Sequence, residues 1–138
     1  MNRFVLDASV ALSWFIAIPV QPYAAQVRDR VRRGDRAVVP PLWELEFANG
    51  VLMAQRRKII DATIGDETLA EMERLRRAGV EMDSAAPPVR VVLEVSRNYQ
   101  LTVYDAAYLE LARRESLPLA TLDKALRTAA GKAGVKLA

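Results

Sequence analysis

Short apolar runs alternate with longer helical segments along the whole chain, and this order constrains the fold more than any other feature. The predicted strands are Arg3–Leu6, Ala37–Val39, Val80–Met82, Leu117–Thr121 and a short last one at Val135–Leu137. The predicted helices are Ala8–Ile16, Pro22–Arg33, Leu42–Lys58, Asp61–Ala78, Pro87–Asn98, Tyr104–Glu115 and Leu122–Ala130. Strands that alternate with helices pair in parallel. The sequence therefore predicts an α/β fold, with a parallel central sheet of about five strands and helices on both faces.

The length and composition predict one packed domain, residues 1–138, without a linker or an internal repeat. The hydrophobic fraction of 51% is typical of a globular chain. No run approaches the roughly 20 apolar residues of a membrane span, and Asp7 interrupts the N-terminal run, so we expect neither a span nor a signal peptide. The chain has no Cys, which excludes disulfides and fits a cytoplasmic protein.

The basic residues are mostly arginines, 16 of the 20 Lys and Arg residues, and the formal net charge is +3. The arginine guanidinium is a planar donor that suits phosphate, so a nucleic-acid partner is compatible with this composition. Most of the clusters fall at predicted helix ends, where cations also interact favourably with the helix dipole. Charge alone therefore permits nucleic-acid binding without indicating it.

Four acidic residues lie where a predicted strand ends, or on the helix just beyond it: Asp7, Glu46, Asp105 and Asp123. The carboxyl ends of parallel strands meet at one crevice, where four carboxylates would repel one another without a positive charge between them. A hard cation such as Mg²⁺ or Mn²⁺ takes oxygen ligands of this kind. Without His or Cys, a zinc site of the usual nitrogen and sulfur type is nearly excluded.

Three of these acids also have a structural interpretation. Asp7 could be the N-cap of the first helix, and either Asp123 or Thr121 could cap the last one. Thr102 could cap the helix that contains Asp105, with Asp105 closing a capping box. For each of these residues taken alone, capping and metal binding remain open.

Glu46 is harder to explain structurally. At about 100° per residue it shares one stripe of its helix with Leu42, Asn49 and Met53, and Leu45, Ala48 and Leu52 lie beside that stripe. A buried carboxylate without a partner is costly. The pattern therefore favours a bound metal or a polar cleft beside Glu46.

With these residues identified, the chain resembles PIN-domain proteins of the VapC type, the ribonuclease toxins of bacterial and archaeal toxin–antitoxin pairs. The resemblance covers essentially the full length and rests on VLDASVALSWF, VVPPLWELEFANGVL and LTVYDAAYLELARRESLPLATLDKAL, in this order. It implies that the acids bind Mg²⁺ or Mn²⁺ and carry catalysis: Asp7, Glu46, Asp105 and Asp123. It further implies supporting positions beside the site for Ser9, Asn49 and Thr121.

The resemblance implies cleavage of RNA by metal-activated water, leaving a 5′-phosphate and a 3′-hydroxyl. The absence of His excludes a histidine general base. Lys124 and Arg127, which follow Asp123, are candidate phosphate contacts, although a solvated helix face explains them equally well.

The resemblance also implies a cognate VapB-type antitoxin and a homodimer. In the family such an antitoxin enters a groove formed by helices corresponding to Leu42–Lys58 and Asp61–Ala78. The alternative is that the apolar residues of these helices are simply core: Trp43, Phe47, Leu52, Leu69, Met72 and Leu75.

Two other function classes fit less well. Receiver domains and aspartate-nucleophile phosphatases also place acids at strand ends, but they carry a second acid after the first strand, and here Asp7 is followed by Ala8-Ser9-Val10. A catalytically silent PIN-like module that binds RNA or protein remains the alternative, because a fold alone does not establish an activity.

Overall fold

The computed structural model describes residues 2–138 and contains a four-stranded parallel sheet in the order β3-β2-β1-β4. The strands are β1 (Arg3–Leu6), β2 (Arg36–Val39), β3 (Val80–Met82) and β4 (Leu119–Ala120). The predicted α/β fold is confirmed. The predicted strand count of five is wrong, because the last segment contributes only a single parallel bridge between Leu119 and Leu137.

Seven helices connect and cover the strands in the described part of the chain. They are α1 (Ala8–Ile16), α2 (Pro22–Arg32), α3 (Trp43–Arg56), α4 (Ala62–Gly79), α5 (Val89–Tyr99), α6 (Val103–Glu115) and α7 (Lys124–Lys132). Several begin where the sequence supplies a start signal. Pro22 opens α2, and the Asp61 carboxylate accepts the Ile64 N–H to cap α4. None of these helices is both long and apolar enough to cross a membrane.

Helices cover both faces of the sheet. Phe4, Val5 and Leu6 are all fully buried, and successive strand residues point to opposite faces, so β1 must be covered on both sides. Helix α1 contacts both α2 and α3, and α3 contacts α4, whereas α6 contacts α5, α7 and strands β1 and β4. The core thus lies on both sides of β1.

Strand β4 is shorter than predicted, and its sequence explains why. Pro118 has no N–H to donate, so the strand cannot extend N-terminally as predicted. At the other end the chain leaves the sheet at Thr121, whose hydroxyl bonds to Asp7 instead. The two residues that remain, Leu119 and Ala120, are fully buried.

The strand order reverses at β1. Strands β2 and β3 lie on one side of it and β4 on the other, so the carboxyl ends of β1 and β4 flank the switch point where open α/β sheets form their crevice. The Asp7 N–H donates to the Ala120 carbonyl oxygen at 2.9 Å and joins these two ends.

Candidate active site

Asp7 directly follows β1, and its side chain is buried. It occupies the N-cap position of α1 but makes no side-chain capping bond. Instead its Oδ2 accepts two hydroxyl hydrogen bonds, from Ser9 Oγ and Thr121 Oγ1, each at 2.7 Å. Burial raises the pKa of Asp7, opposed by these hydrogen bonds, and the nearby Asp123 charge raises it further. The capping alternative for the Asp7 side chain is therefore excluded.

The two hydroxyls also bind the loop between β4 and α7. Thr121 Oγ1 accepts the Asp123 N–H at 3.0 Å, and Ser9 Oγ accepts the Leu122 N–H at 3.1 Å. Each hydroxyl thus accepts one hydrogen bond from a backbone N–H and donates one to the Asp7 carboxylate. Ser9 and Thr121 hold Asp7 against the segment that contains Asp123.

Asp123 does cap its helix. Its Oδ2 accepts the Leu126 N–H at 2.8 Å, at the first turn of α7. Its charge nevertheless raises the pKa of both Asp7 and Asp105. Capping and participation in the acidic cluster are therefore compatible for this residue.

Asp105 lies in the first turn of α6, one turn after the N-cap Thr102. Thr102 Oγ1 accepts the Asp105 N–H at 3.1 Å, but within residues 2–138 no bond returns from the Asp105 carboxylate to close the capping box. Burial, followed by the charges of Asp123 and Asp7, raises the pKa of Asp105 to about 6. Among residues 2–138, no Lys or Arg forms a salt bridge with the Asp105 carboxylate.

Glu46 is half-buried in the first turn of α3. Its Oε1 accepts the Tyr108 phenol hydroxyl at 2.6 Å. Burial raises the pKa of Glu46, the Tyr108 bond opposes this, and the charges of Asp7 and Asp105 raise it further. Sequence reasoning did not identify Tyr108. The available signal was its position one turn after Asp105 on the same helix.

The four acids lie in each other's electrostatic field. Beyond the effect of burial, the charge of Asp123 raises the pKa of Asp7, and the charges of Asp7 and Asp105 raise the pKa of Glu46. The charges of Asp123 and Asp7 likewise raise the pKa of Asp105. Four oxygen donors carrying excess negative charge fit a hard divalent cation in their chemistry. As the side chains stand, however, no three His, Cys, Asp or Glu residues in the 2–138 range converge closely enough to hold an ion.

The stripe of helix α3 that faces the core is not the one that contains Glu46. Its buried residues are Trp43, Phe47, Val51 and Ala54. Leu45 is 76% exposed, and Leu52 and Asn49 are also exposed. Asn49 makes no hydrogen bond to the acids in the described structure.

Arg127 and Lys124 differ in their surroundings. Arg127 donates from Nη1 to the Thr121 carbonyl oxygen at 3.1 Å, and its guanidinium lies over the Tyr23 ring at 4.7 Å from the centroid. It therefore supports the loop between β4 and α7. Lys124 is exposed.

Most of the apolar residues considered for an antitoxin groove belong to the core. Trp43, Phe47 and Met72 are buried, and Leu69 and Leu75 pack against the core. A mostly apolar cavity of about 490 Å³ lies between α1 and α3, which we call the α1–α3 groove. It is lined by Ser9, Leu12, Ile16, Gly50, Met53 and Arg57, among others.

The family assignment follows from a comparison with known protein families. The family model of the PIN domain matches residues 4–132. The chain belongs to the PIN-domain family. PIN domains are generally nucleases and usually use divalent metals.

Two solved structures share this PIN fold. The crystal structure of PAE2754 from Pyrobaculum aerophilum is 19% identical with a TM-score of 0.71, and the match covers 93% of this chain and 84% of that one. The crystal structure of FitAcB from Neisseria gonorrhoeae is 17% identical with a TM-score of 0.62, covering 97% and 95%. No curated protein matched the sequence significantly.

Proposed function

We propose that this PIN domain is a Mg²⁺- or Mn²⁺-dependent endoribonuclease, the toxin of a VapBC-type toxin–antitoxin pair, acting in the cytoplasm. The observation that supports this most is the raised pKa of Asp7, Glu46 and Asp105 beside Asp123 at the sheet's switch point. Perturbed carboxylates that lack a cation are typical of catalytic and metal sites.

The residues of the chain have separate roles in the proposed reaction. Asp7, Glu46, Asp105 and Asp123 provide the oxygen donors, and the Ser9 and Thr121 hydroxyls fix Asp7 by their bonds to Oδ2. When bound, the cation supplies activation of water and neutralises charge on the scissile phosphate. In this proposal Asp7 and Asp105 are the principal metal ligands, Asp123 binds the metal directly or through water, and Glu46 helps to hold the metal or to orient the attacking water.

The proposed substrate is RNA, and the products follow from the proposed chemistry. Water attack on a phosphodiester, with the 3′-oxygen leaving, gives a 5′-phosphate and a 3′-hydroxyl. Asn49, exposed on α3, and Lys124, exposed on α7, lie on helices that contain or directly follow site acids, and we assign them to the RNA-facing rim.

A VapB-type antitoxin is the proposed protein partner. The α1–α3 groove offers apolar surface for it beside Ser9. We also propose a homodimer, which light scattering of the purified protein at several concentrations would test.

The alternative is a PIN module that binds RNA or protein without cleaving. The observation in its favour is that the acids, as they stand, do not converge enough to hold an ion in the region the structure describes. An RNA-cleavage experiment distinguishes this module from the nuclease.

That experiment incubates the purified, antitoxin-free protein with total RNA in Mg²⁺ or Mn²⁺, with and without EDTA. Asp105→Asn should abolish cleavage, whereas Asp66→Asn, at an exposed position of α4, should leave it intact. Discrete fragments with 5′-phosphate ends support the proposal. Cleavage that survives both EDTA and Asp105→Asn contradicts it, and folded protein that binds RNA without cleaving it supports the alternative.

A further inference from the structure

Tyr108 joins two helices that supply acids to the site. It lies in α6, three residues and thus about one turn after Asp105, so both residues share one side of the helix. Its side chain is fully buried, and its phenol oxygen lies 2.6 Å from Glu46 Oε1 in α3. This hydrogen bond spans 62 residues of sequence.

The hydrogen bond from the Tyr108 phenol to the Glu46 carboxylate has the length of a charge-assisted hydrogen bond. Hydrogen bonds from a hydroxyl to a carboxylate are typically about 2.5–2.7 Å long and stronger than neutral ones. The donor is a neutral phenol O–H, so the bond forms without bringing a positive charge to Glu46.

A neutral donor suits this position better than a cation. Lys or Arg at this distance would neutralise Glu46 and compete with any metal for it. A phenol orients the carboxylate through Oε1, while the negative charge remains and Oε2 is outside the bond. A half-buried glutamate that is held in this way loses less freedom when it takes up a cation.

We infer that Tyr108 is a positioning residue that fixes the Glu46 carboxylate for cation binding. This role rests on the proposed function, because it takes Glu46 as part of the metal site.

The test measures Mn²⁺ binding by titration calorimetry, without RNA, so that it does not depend on activity. Tyr108→Phe keeps the ring and removes only the hydroxyl, and we expect about tenfold weaker Mn²⁺ binding. Tyr99→Phe is the matched control. It removes a tyrosine hydroxyl from α5, where Tyr99 contacts Arg113 rather than the acids, and Mn²⁺ affinity should not change.

Two further variants test whether Tyr108 affects Mn²⁺ affinity through Glu46. In a Glu46→Gln background, Tyr108→Phe should cause no additional loss of affinity. Glu46→Asp keeps the charge but shortens the side chain by one methylene, away from the phenol, and should weaken Mn²⁺ binding by a similar factor. It tests the same contact if Tyr108→Phe does not fold.

Unchanged Mn²⁺ affinity in Tyr108→Phe would overturn the inference alone, provided that the wild-type protein binds the ion. A full tenfold loss that persists in the Glu46→Gln background would also overturn it, since Tyr108 would then act through another group. Wild-type protein that binds no Mn²⁺ would overturn the proposed function and this role together.

Discussion

Thr121 Oγ1 lies 2.7 Å from Asp7 Oδ2, and this bond joins residues 114 positions apart in the sequence. The same oxygen accepts the Asp123 N–H. One fully buried hydroxyl therefore binds both acids that follow the adjacent strands β1 and β4.

Replacing this hydroxyl by a methyl group should destabilise the protein. Thr121→Val keeps the side-chain shape but leaves the Asp123 N–H without its partner and the buried Asp7 carboxylate with only the Ser9 hydroxyl, at a cost of about 1–3 kcal/mol in the free energy of unfolding. Urea denaturation would measure it. Thr128→Val, at an exposed position of α7, is the control and should change stability by less than about 0.5 kcal/mol. Equal values for the two variants would contradict the importance of the hydroxyl.

Asp105→Asn should have opposite effects on stability and activity. Without metal, neutralising Asp105 relieves its desolvation and its repulsion by Asp123 and Asp7, so the melting temperature at pH 7.5 should rise by roughly 2–4 °C. RNA cleavage should fall by at least about 100-fold. Differential scanning calorimetry and a gel-based cleavage assay check the two effects. A variant that melts below the wild type would argue against uncompensated charge at Asp105.

The stability difference between these two proteins should depend on pH. The folded-state pKa of Asp105 is raised from its ordinary value of 3.8 to about 6, so the folded protein holds this proton more tightly than the unfolded chain. The contribution of Asp105 to wild-type stability is therefore fully present below about pH 3.8 and is progressively lost as pH rises through about 6. Melting of the metal-free proteins in steps from pH 4 to 8 should show the advantage of Asp105→Asn growing up to about pH 6 and then levelling off.

Saturating Mn²⁺ provides the control for this pH profile. Added at pH 7.5, it should stabilise the wild type, because a ligand that binds only the folded state raises the melting temperature. It should have little effect near pH 4, where Asp105, whose pKa is raised to about 6, is protonated. A difference between the proteins that is constant from pH 4 to 8 would exclude Asp105 as its source.

The strands and helices were largely predictable because the apolar runs and stop signals that define them are local in sequence. The predicted fifth strand, Val135–Leu137, is absent from the sheet because this segment has strand-like composition but forms only one bridge, from Leu137 to Leu119. Pro118 was a visible signal that β4 would be short.

The acids could be located from the sequence, but their individual roles could not. Asp7 and Asp123 both follow strands and precede helices, yet only Asp123 caps. The difference arises from the hydroxyl of Thr121, which approaches Asp7 across two paired strands. Helical periodicity likewise placed Glu46 on a stripe without showing which stripe faces the core. Tyr108 was missed because its partner, Glu46, lies on a helix distant in sequence.

Arg114 at the C-terminal end of α6 should be important for stability rather than for cleavage. It pairs with Asp83 and Glu110, each at 2.7 Å, and both carboxylates are largely buried. These partners raise the pKa of Arg114. Arg114→Ala leaves both acids unpaired and should lower the free energy of unfolding by about 1–3 kcal/mol.

The matched control for this variant is Arg97→Ala, at an exposed position of α5, for which we expect almost no change. Urea denaturation of the metal-free proteins compares the two. Cleavage per folded molecule should remain at the wild-type level in Arg114→Ala. A specific loss of activity without a loss of stability would show that the ion pairs serve the site instead.

The position of β4 at the far side of β1 has a consequence for biosynthesis. A chain growing from its N-terminus contains Asp7 and Glu46 well before Asp105 and Asp123 are added, and β4 must then pair with β1, which was made much earlier. Such a pairing between distant segments forms late, because the intervening chain must first be ordered. The ribosome that makes this protein must therefore translate beyond Asp123 before the four carboxylates can meet.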